Sequence, residues 1–371
     1  MLSIADIVRE HGGAYMERFG QDLLPSHRRA LDDIAGCRTP AMGGHLLGCD
    51  DCGHREYVYH SCRNRACPQC HRQRTEAWLA GRAGELLPVR YHHVVITLPA
   101  ELREAARSRQ QDVLGALMQA AAEALQTLAR DPKYAGGRIG ILAVLHTWSR
   151  TLVWHPHVHC LVPGIALADG REVLRPAERF LVPVRALSVI FRARLAACLR
   201  RLEPPVEPPG TAWQKRWVAF ARPCVEGPDR VLRYLARYAF RGPLSDGRLV
   251  SAEAGRVTFR YTDNRSGQSR TVTLTAEEFL RRYLQHVLPR GFQRVRYYGL
   301  WSPANRDDLR GLQLLLAASQ PDRRPSAPVV ISPHPVPPVR CPRCGSTHWY
   351  LVGRFLPAAP SSMSPTRGPP P

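Results

Sequence analysis

The chain has 371 residues, 44% of them hydrophobic, and carries 52 basic against 31 acidic side chains for a formal net charge of +21. That length allows two or three domains with a sizeable core. No stretch approaches twenty uninterrupted apolar residues and the first ten residues lack the basic-then-apolar layout of a secretion signal, so a membrane protein is excluded and a cytoplasmic location is expected.

The basic excess is almost wholly arginine, lysine occurring only as Lys133 and Lys215. A GC-rich genome would favour arginine over lysine but would not create the net charge. Guanidinium forks match phosphate oxygens two at a time, so a polyanionic backbone is the expected partner. Eleven cysteines in a reducing compartment point to metal ligation rather than disulfides.

Residues 1 to 35 read as a helix-rich lead, with Ile4, Ile7, Val8, Tyr15, Phe19, Leu23 and Leu24 at helical intervals. Cys49 and Cys52, then Cys67 and Cys70, bracket fourteen residues, the spacing of one four-thiolate zinc site built from two tight knuckles. Cys37, His45, His54, His60, Cys62 and His71 crowd the same region; Cys37, His45 and Cys62 either hold a second ion or serve packing and surface roles. Residues 89 to 99 predict a core strand that opens a new domain. Residues 101 to 130 predict one long helix, burying Leu102, Ala106, Val113, Leu117, Ala120, Leu125 and Leu128 and ending at Asp131 and Pro132.

Residues 139 to 148 read as a second strand and residues 151 to 162 as a third, rich in β-branched and aromatic side chains. Alternation along that third strand sets His155, His157 and His159 on one face. Neutral imidazoles two residues apart on a rigid strand are pre-set to grip one cation. If the chain turns back near Arg150 and Thr151, His146 falls opposite His157, which leaves the third ligand open between His146 and His155, with His93 behind them.

Residues 183 to 202 predict a basic amphipathic helix with Leu187, Ile190, Phe191, Leu195, Leu199 and Leu202 inward, followed by a Pro-rich loop and a strand at 217 to 222. Residues 229 to 241 predict a helix that stops at Gly242 and Pro243 and stacks Tyr234 over Tyr238 on one face. Arg256 to Tyr261 and Arg270 to Leu274 flank a hairpin turn, and Thr275 with Glu278 spells a capping box for a helix ending before Pro289. From Pro321 the composition shifts to Pro, Ser and Ala, a flexible tail interrupted by Cys341 and Cys344. Two cysteines cannot close a tetrahedral site, so this knuckle is either incomplete or borrows a ligand.

With these motifs in order, the chain resembles two-tyrosine HUH transposases of bacterial rolling-circle insertion sequences, of the insertion-sequence-ninety-one type. The likeness covers about residues 20 to 305. It rests on Cys37 to Thr39, Gly43, Gly44 and His45, the paired cysteines with Ser61 to Arg65, Val94 to Pro99, Leu145 to Trp148, His155 to Cys160, Tyr234 to Tyr238, and Glu278 to Tyr283 with His286 to Gly291. Ala66 departs from the pattern, since the family's zinc module is expected often to carry His there.

The resemblance implies an α+β chain: a helical lead and zinc-binding domain over 1–80, an HUH-endonuclease-like antiparallel sheet flanked by helices over 89–305, and a Pro-rich tail over 321–371. It implies that Tyr234 and Tyr238 are nucleophiles, that His157 and His159 hold a divalent ion, Mg²⁺ or Mn²⁺, around Val158, and that structural zinc sits on the cysteines. The partner is then single-stranded DNA in element ends and target, cut and rejoined through 5′-phosphotyrosine, with no membrane involved. Arg63, Arg65, Arg72 and Arg74 around the second knuckle are candidate DNA contacts, and Tyr297, Tyr298 and Trp301 either stack on bases or pack in the core. A rolling-circle replication initiator and a non-catalytic zinc-ribbon DNA-binding protein are the alternatives.

Overall fold

The computed structural model describes residues 2–70, 78–168, 173–174, 181–226, 230–231, 242–263, 266–318 and 340–357. Among the described residues, helices and strands mix, the strands form three antiparallel sheets, and no helix is long and apolar enough to cross a membrane. Tyr234, Tyr238, Arg72 and Arg74 lie outside the described residues.

The helical lead divides into Ile4–Phe19 and Pro25–Gly36. Ser3 caps the first helix reciprocally with Asp6, and Pro25 opens the second, where a missing N–H costs nothing. Both pack on a meander of β9 (Leu249–Glu253), β10 (Arg256–Thr262) and β11 (Ser269–Thr275) and on the helix Ala276–Leu284. At that helix the expected capping box forms only halfway. Thr275 Oγ1 accepts from Glu278 N, but the Glu278 carboxylate turns to Arg281 and Arg282, each at 2.6 Å.

The large sheet holds β3 (Arg90–Thr97), β4 (Arg138–Trp148), β5 (Trp154–Pro163), β8 (Ala219–Glu226) and β12 (Val295–Gly299), with the short β6 (Ala166–Leu167) and β7 (Val173–Leu174) at one end. β5 lies between β4 and β3, β8 pairs with the far side of β3, and β12 lies against β4. One face presents Val94, Ile96, Ile141, Ala143, Leu145, Val158, Cys160 and Val162 to the helices Gln110–Ala129 and Val184–Arg200. Each fully buried leucine in that layer contributes about 1.5–3 kcal/mol through apolar burial.

The long helix expected over 101–130 is broken at Arg109, where φ is −128° and ψ 58°. The Arg109 guanidinium bonds Asp112 and the carbonyls of Glu203 and Pro204, which ties the break to the Pro-rich loop. The opposite face of the sheet is divided. Its lower half, with Tyr91, Leu142 and Leu161, is covered by the chain around Leu79 to Leu87, by Trp301 and by the helix Arg306–Ala318. Tyr297 and Trp301 are packed there, Trp301 stacking on Tyr91 and Tyr297 accepting a bond from Trp78 Nε1, and Tyr298 packs on the helix-covered face. Trp301 is thus a core side chain, and Tyr297 and Tyr298 are half-buried against the apolar clusters.

Residues 340–357 are more than a tail: β13 (Trp349–Phe355) joins β1 (Gly44–Cys49) and β2 (Arg55–Tyr59) as the outer strand of a third sheet. The remainder of the expected tail, 321–339 and 358–371, lies outside the described residues.

Gly299 ends β12 at φ +62°, and a Cβ there would run into Ile139 O and Gln126 Nε2. Gly299→Ala is therefore expected to cost about 2–5 kcal/mol, from left-handed strain plus overpacking; an unchanged urea midpoint would refute this close approach.

Candidate metal centres and a basic cleft

The upper half of the divided face is where the histidines converge. β4 and β5 pair so that His146 lies opposite His157 and Val144 opposite His159, while Thr97 and Val95 of β3 face His157 and His159 from the other side. Burial alternates along β5: Trp154, Pro156, Val158 and Cys160 are buried, while His155, His157 and His159 are partly open. One ring nitrogen each of His146, His157 and His159 lies within 4.8 Å of the others.

His155 does not join that group. Its Nδ1 accepts from Arg103 Nη2 at 2.7 Å, and its backbone carbonyl accepts from His157 Nδ1 at 2.6 Å. A carbonyl can only accept, so His157 carries its proton on Nδ1 and leaves Nε2 with a lone pair. His93 stacks on His159 with its Nε2 2.8 Å from His159 Nδ1, the position of a group that orients a ligand.

Although His157 and His159 open partly to the cleft, their surroundings desolvate them. Burial pushes His157 and His93 down to about 4, and burial with the neighbouring imidazoles of His146, His157 and His93 holds His159 well below the usual range. All three are neutral at neutral pH, the state that ligates metal. A cleft of about 960 Å³ opens over them, walled by Arg150, Arg248, Arg260, Tyr261 and Thr262.

Trp148 separates this cleft from a second, of about 630 Å³, lined by Arg29, Arg63, Arg290 and Arg294. Arg63 stands at φ 53° on its rim. Arg65 turns inward instead: its guanidinium donates to the carbonyls of Leu288, Pro289 and Phe292, clamping the zinc module to the end of the Ala276–Leu284 region. Arg65 still lines the second cleft, with its guanidinium engaged by these carbonyls. Beyond that clamp, buried His286 donates to Leu152 O and accepts from Thr147, so it locks the turn between β4 and β5.

The expectation that Cys49, Cys52, Cys67 and Cys70 share one site is also corrected. Cys67 and Cys70 converge with Cys37 and Cys62, whereas Cys49 and Cys52 converge with Cys341 and Cys344. Cys70 Sγ is 3.6 Å from both Cys37 Sγ and Cys62 Sγ. Sulfurs on a tetrahedron around zinc, at about 2.3 Å from it, stand about 3.8 Å apart. Hydrogen bonds from Cys62 and Cys67 hold the Cys37 thiol down at about 2, and the same bonds push Cys62 up to about 12 and Cys67 further. Four such sulfurs all ionise together only around a cation. His45 stays apart, its Nε2 3.1 Å from His60 Nε2, so of the second set considered from sequence only Cys37 and Cys62 converge. A Cys pair separated from its partners by a helix cap or a strand leaves no spacing signature, which is why the grouping was not legible.

The family model described as "Putative transposase" matches residues 140–308, which include all of β4 and β5 but the first two residues of β4. A second, "Transposase zinc-binding domain", matches residues 7–98. The chain is 40% identical over 322 residues to "Putative transposase y4qJ" of Sinorhizobium fredii, covering 80% of this chain and 79% of that protein. It is 28% identical over 347 residues to "Transposase for insertion sequence element IS801" of Pseudomonas savastanoi pv. phaseolicola, covering 86% and 82%. No solved structure matches the chain significantly. Two family models in series and a likeness that runs through four-fifths of both chains lead to one conclusion: the chain belongs to the insertion-sequence-ninety-one type of transposases with an N-terminal zinc-binding domain.

Proposed function

We propose that the chain cuts and rejoins single-stranded DNA as an HUH-type strand transferase, with His146, His157 and His159 holding Mg²⁺ or Mn²⁺ and Tyr234 and Tyr238 acting as nucleophiles in rolling-circle transposition. The observation that carries this reading is the convergence of the three imidazoles on the open half of one sheet face, under a cleft walled by arginines. The donor set fits a divalent ion: His157 presents Nε2 and His159 is oriented from behind by His93. When bound, the ion would supply Lewis-acid stabilisation of the charge that develops on the scissile phosphate.

Support for the tyrosines comes from their flanks. Val231 is buried in the apolar cluster on the lower half of the histidine face, and Pro243 lines the second cleft, which shares Trp148 with the first. A phenol of ordinary pKa about 10 gives up its proton as its oxygen attacks phosphorus. The bond from phosphorus to the 3′ oxygen breaks, that oxygen leaves as a hydroxyl after taking up a proton, and a 5′-phosphotyrosine remains. One phosphoester replaces another, so rejoining needs no nucleotide hydrolysis. Two tyrosines allow a second cut while the first strand is still covalently held, as strand transfer from donor to target demands. We assign Arg150, Arg248 and Arg260 to the DNA backbone as fixed positive charge along the cleft.

The test is a detergent-resistant protein–DNA adduct on single-stranded oligonucleotides from candidate element ends, with Mn²⁺. Tyr234→Phe and Tyr238→Phe are each expected to retain cleavage and lose complete strand transfer, and the double variant to form no adduct; undiminished cleavage by the double variant removes the nucleophile assignment. His157→Ala is expected to lower adduct formation by about 100-fold or more. His155→Ala, outside the converging group, is expected to lower it by less than about tenfold, and the reverse order of the two effects would sink the ligand set.

A further inference from the structure

Only half of the second cysteine cluster, Cys49 and Cys52, lies within the N-terminal family match; the other half comes from residues beyond 340. Cys49 Sγ lies 3.6 Å from Cys344 Sγ, and Cys52 Sγ lies 3.6 Å from Cys341 Sγ. A disulfide would require about 2.05 Å, whereas four thiolates sharing one zinc ion require about 3.8 Å.

The backbone points the same way. In Cys49 to Gly53, Gly53 N donates to Cys49 O at 2.9 Å with Gly53 at φ +69°; in Cys341 to Gly345, Gly345 N donates to Cys341 O at 2.8 Å with Gly345 at φ +77°. Two knuckles of the same turn thus face each other, each ending in a residue whose conformation glycine adopts without strain. Around them, β13 is seated closely on β1: the Tyr350 ring stands over Gly48 where any Cβ would collide.

Beyond ring contacts among Tyr57, Tyr59 and Phe355, this sheet has few apolar contacts among the described residues. Tyr57, Val58, Tyr350 and Leu351 are exposed, so three short strands have little apolar burial to offset the entropy of ordering them, and such units need a staple.

We propose that Cys49, Cys52, Cys341 and Cys344 form a second tetrathiolate zinc site, a zinc ribbon assembled from two knuckles 289 to 295 positions apart that clasps residues 340–357 to the N-terminal sheet. It is separate from the site of Cys37, Cys62, Cys67 and Cys70, and it stands whether or not the strand-transfer chemistry above does. Zinc is favoured over harder cations because all four donors are soft sulfur.

The deciding measurement uses the full chain reconstituted with ¹¹³Cd, whose resonance reports the number of sulfur ligands. Two tetrathiolate resonances are expected. Cys341→Ser with Cys344→Ser, and Cys49→Ser with Cys52→Ser, should each remove the same one, with zinc content falling by one equivalent per chain; Cys37→Ser should remove the other. Cys344→His, which keeps a metal-binding donor, should retain both ions and shift one resonance to the three-sulfur, one-nitrogen position, so the proposal is decided even if the serine variants fail to fold. A single tetrathiolate resonance in the parent, or a Cys344→His spectrum identical to it, overturns the clasp.

Discussion

The antiparallel register between β4 and β5 is the constraint on which the remaining architecture depends. With His146 opposite His157 and Val144 opposite His159, Trp154, Val158, Cys160 and Val162 of β5 point into the helix-covered core, and His155, His157 and His159 point toward the cleft. A slip of one position would drive imidazoles among Leu117 and Phe191 and expose Val158 and Cys160 to water, reversing both layers at once. The turn that fixes this register is not left to itself. Leu152 sits at φ 60°, a costly conformation for a leucine, and buried His286 holds its carbonyl while Trp154 stacks on the imidazole.

From His286 the constraint runs outward to the zinc-binding module. Arg65 grips the carbonyls just after His286, Tyr283 donates to Ala66 O, and Asn64 joins Asp33 to the Cys67 knuckle through Ala66 N. A cation on Cys37, Cys62, Cys67 and Cys70 would thereby fix the loop that fixes the β4 to β5 turn. This gives the Ser61 to Arg65 segment a structural role: Arg65 is a brace between two parts of the molecule, and it lines the second cleft together with Arg29, Arg63, Arg290 and Arg294. The Cys37 cluster and the histidine face are joined through packing and hydrogen bonds rather than through shared ligands.

Local chemistry was legible in the sequence where it has a period. Alternation put His155, His157 and His159 on one face, the short turn put His146 across from His157, and helical spacing found the buried positions Val113, Leu117, Leu125 and Leu128. What spacing does not carry was missed. The two nearest Cys pairs suggested one site, but tertiary structure sends them to different partners. The break at Arg109 depends on carbonyls of the loop near Pro204, and Glu278 abandons its cap because two arginines follow on the same helical face. His93 could have been promoted from behind the other candidates by its own strand pairing, since Val95 of that strand faces His159. The segment from 232 to 241, with both tyrosines, lies outside the described residues.

The pairing of β1 with β13 carries a further consequence for biosynthesis. β1 and β2 are made early and, as a lone hairpin, are at best marginal in water. Their third strand arrives only after the whole large sheet has left the ribosome, with 295 positions between Cys49 and Cys344. A translation product that stops short of Trp349 presents an unpaired β1 edge, an invitation to aggregation and degradation. The small sheet is thus complete only when the chain on both sides of the large sheet has been made.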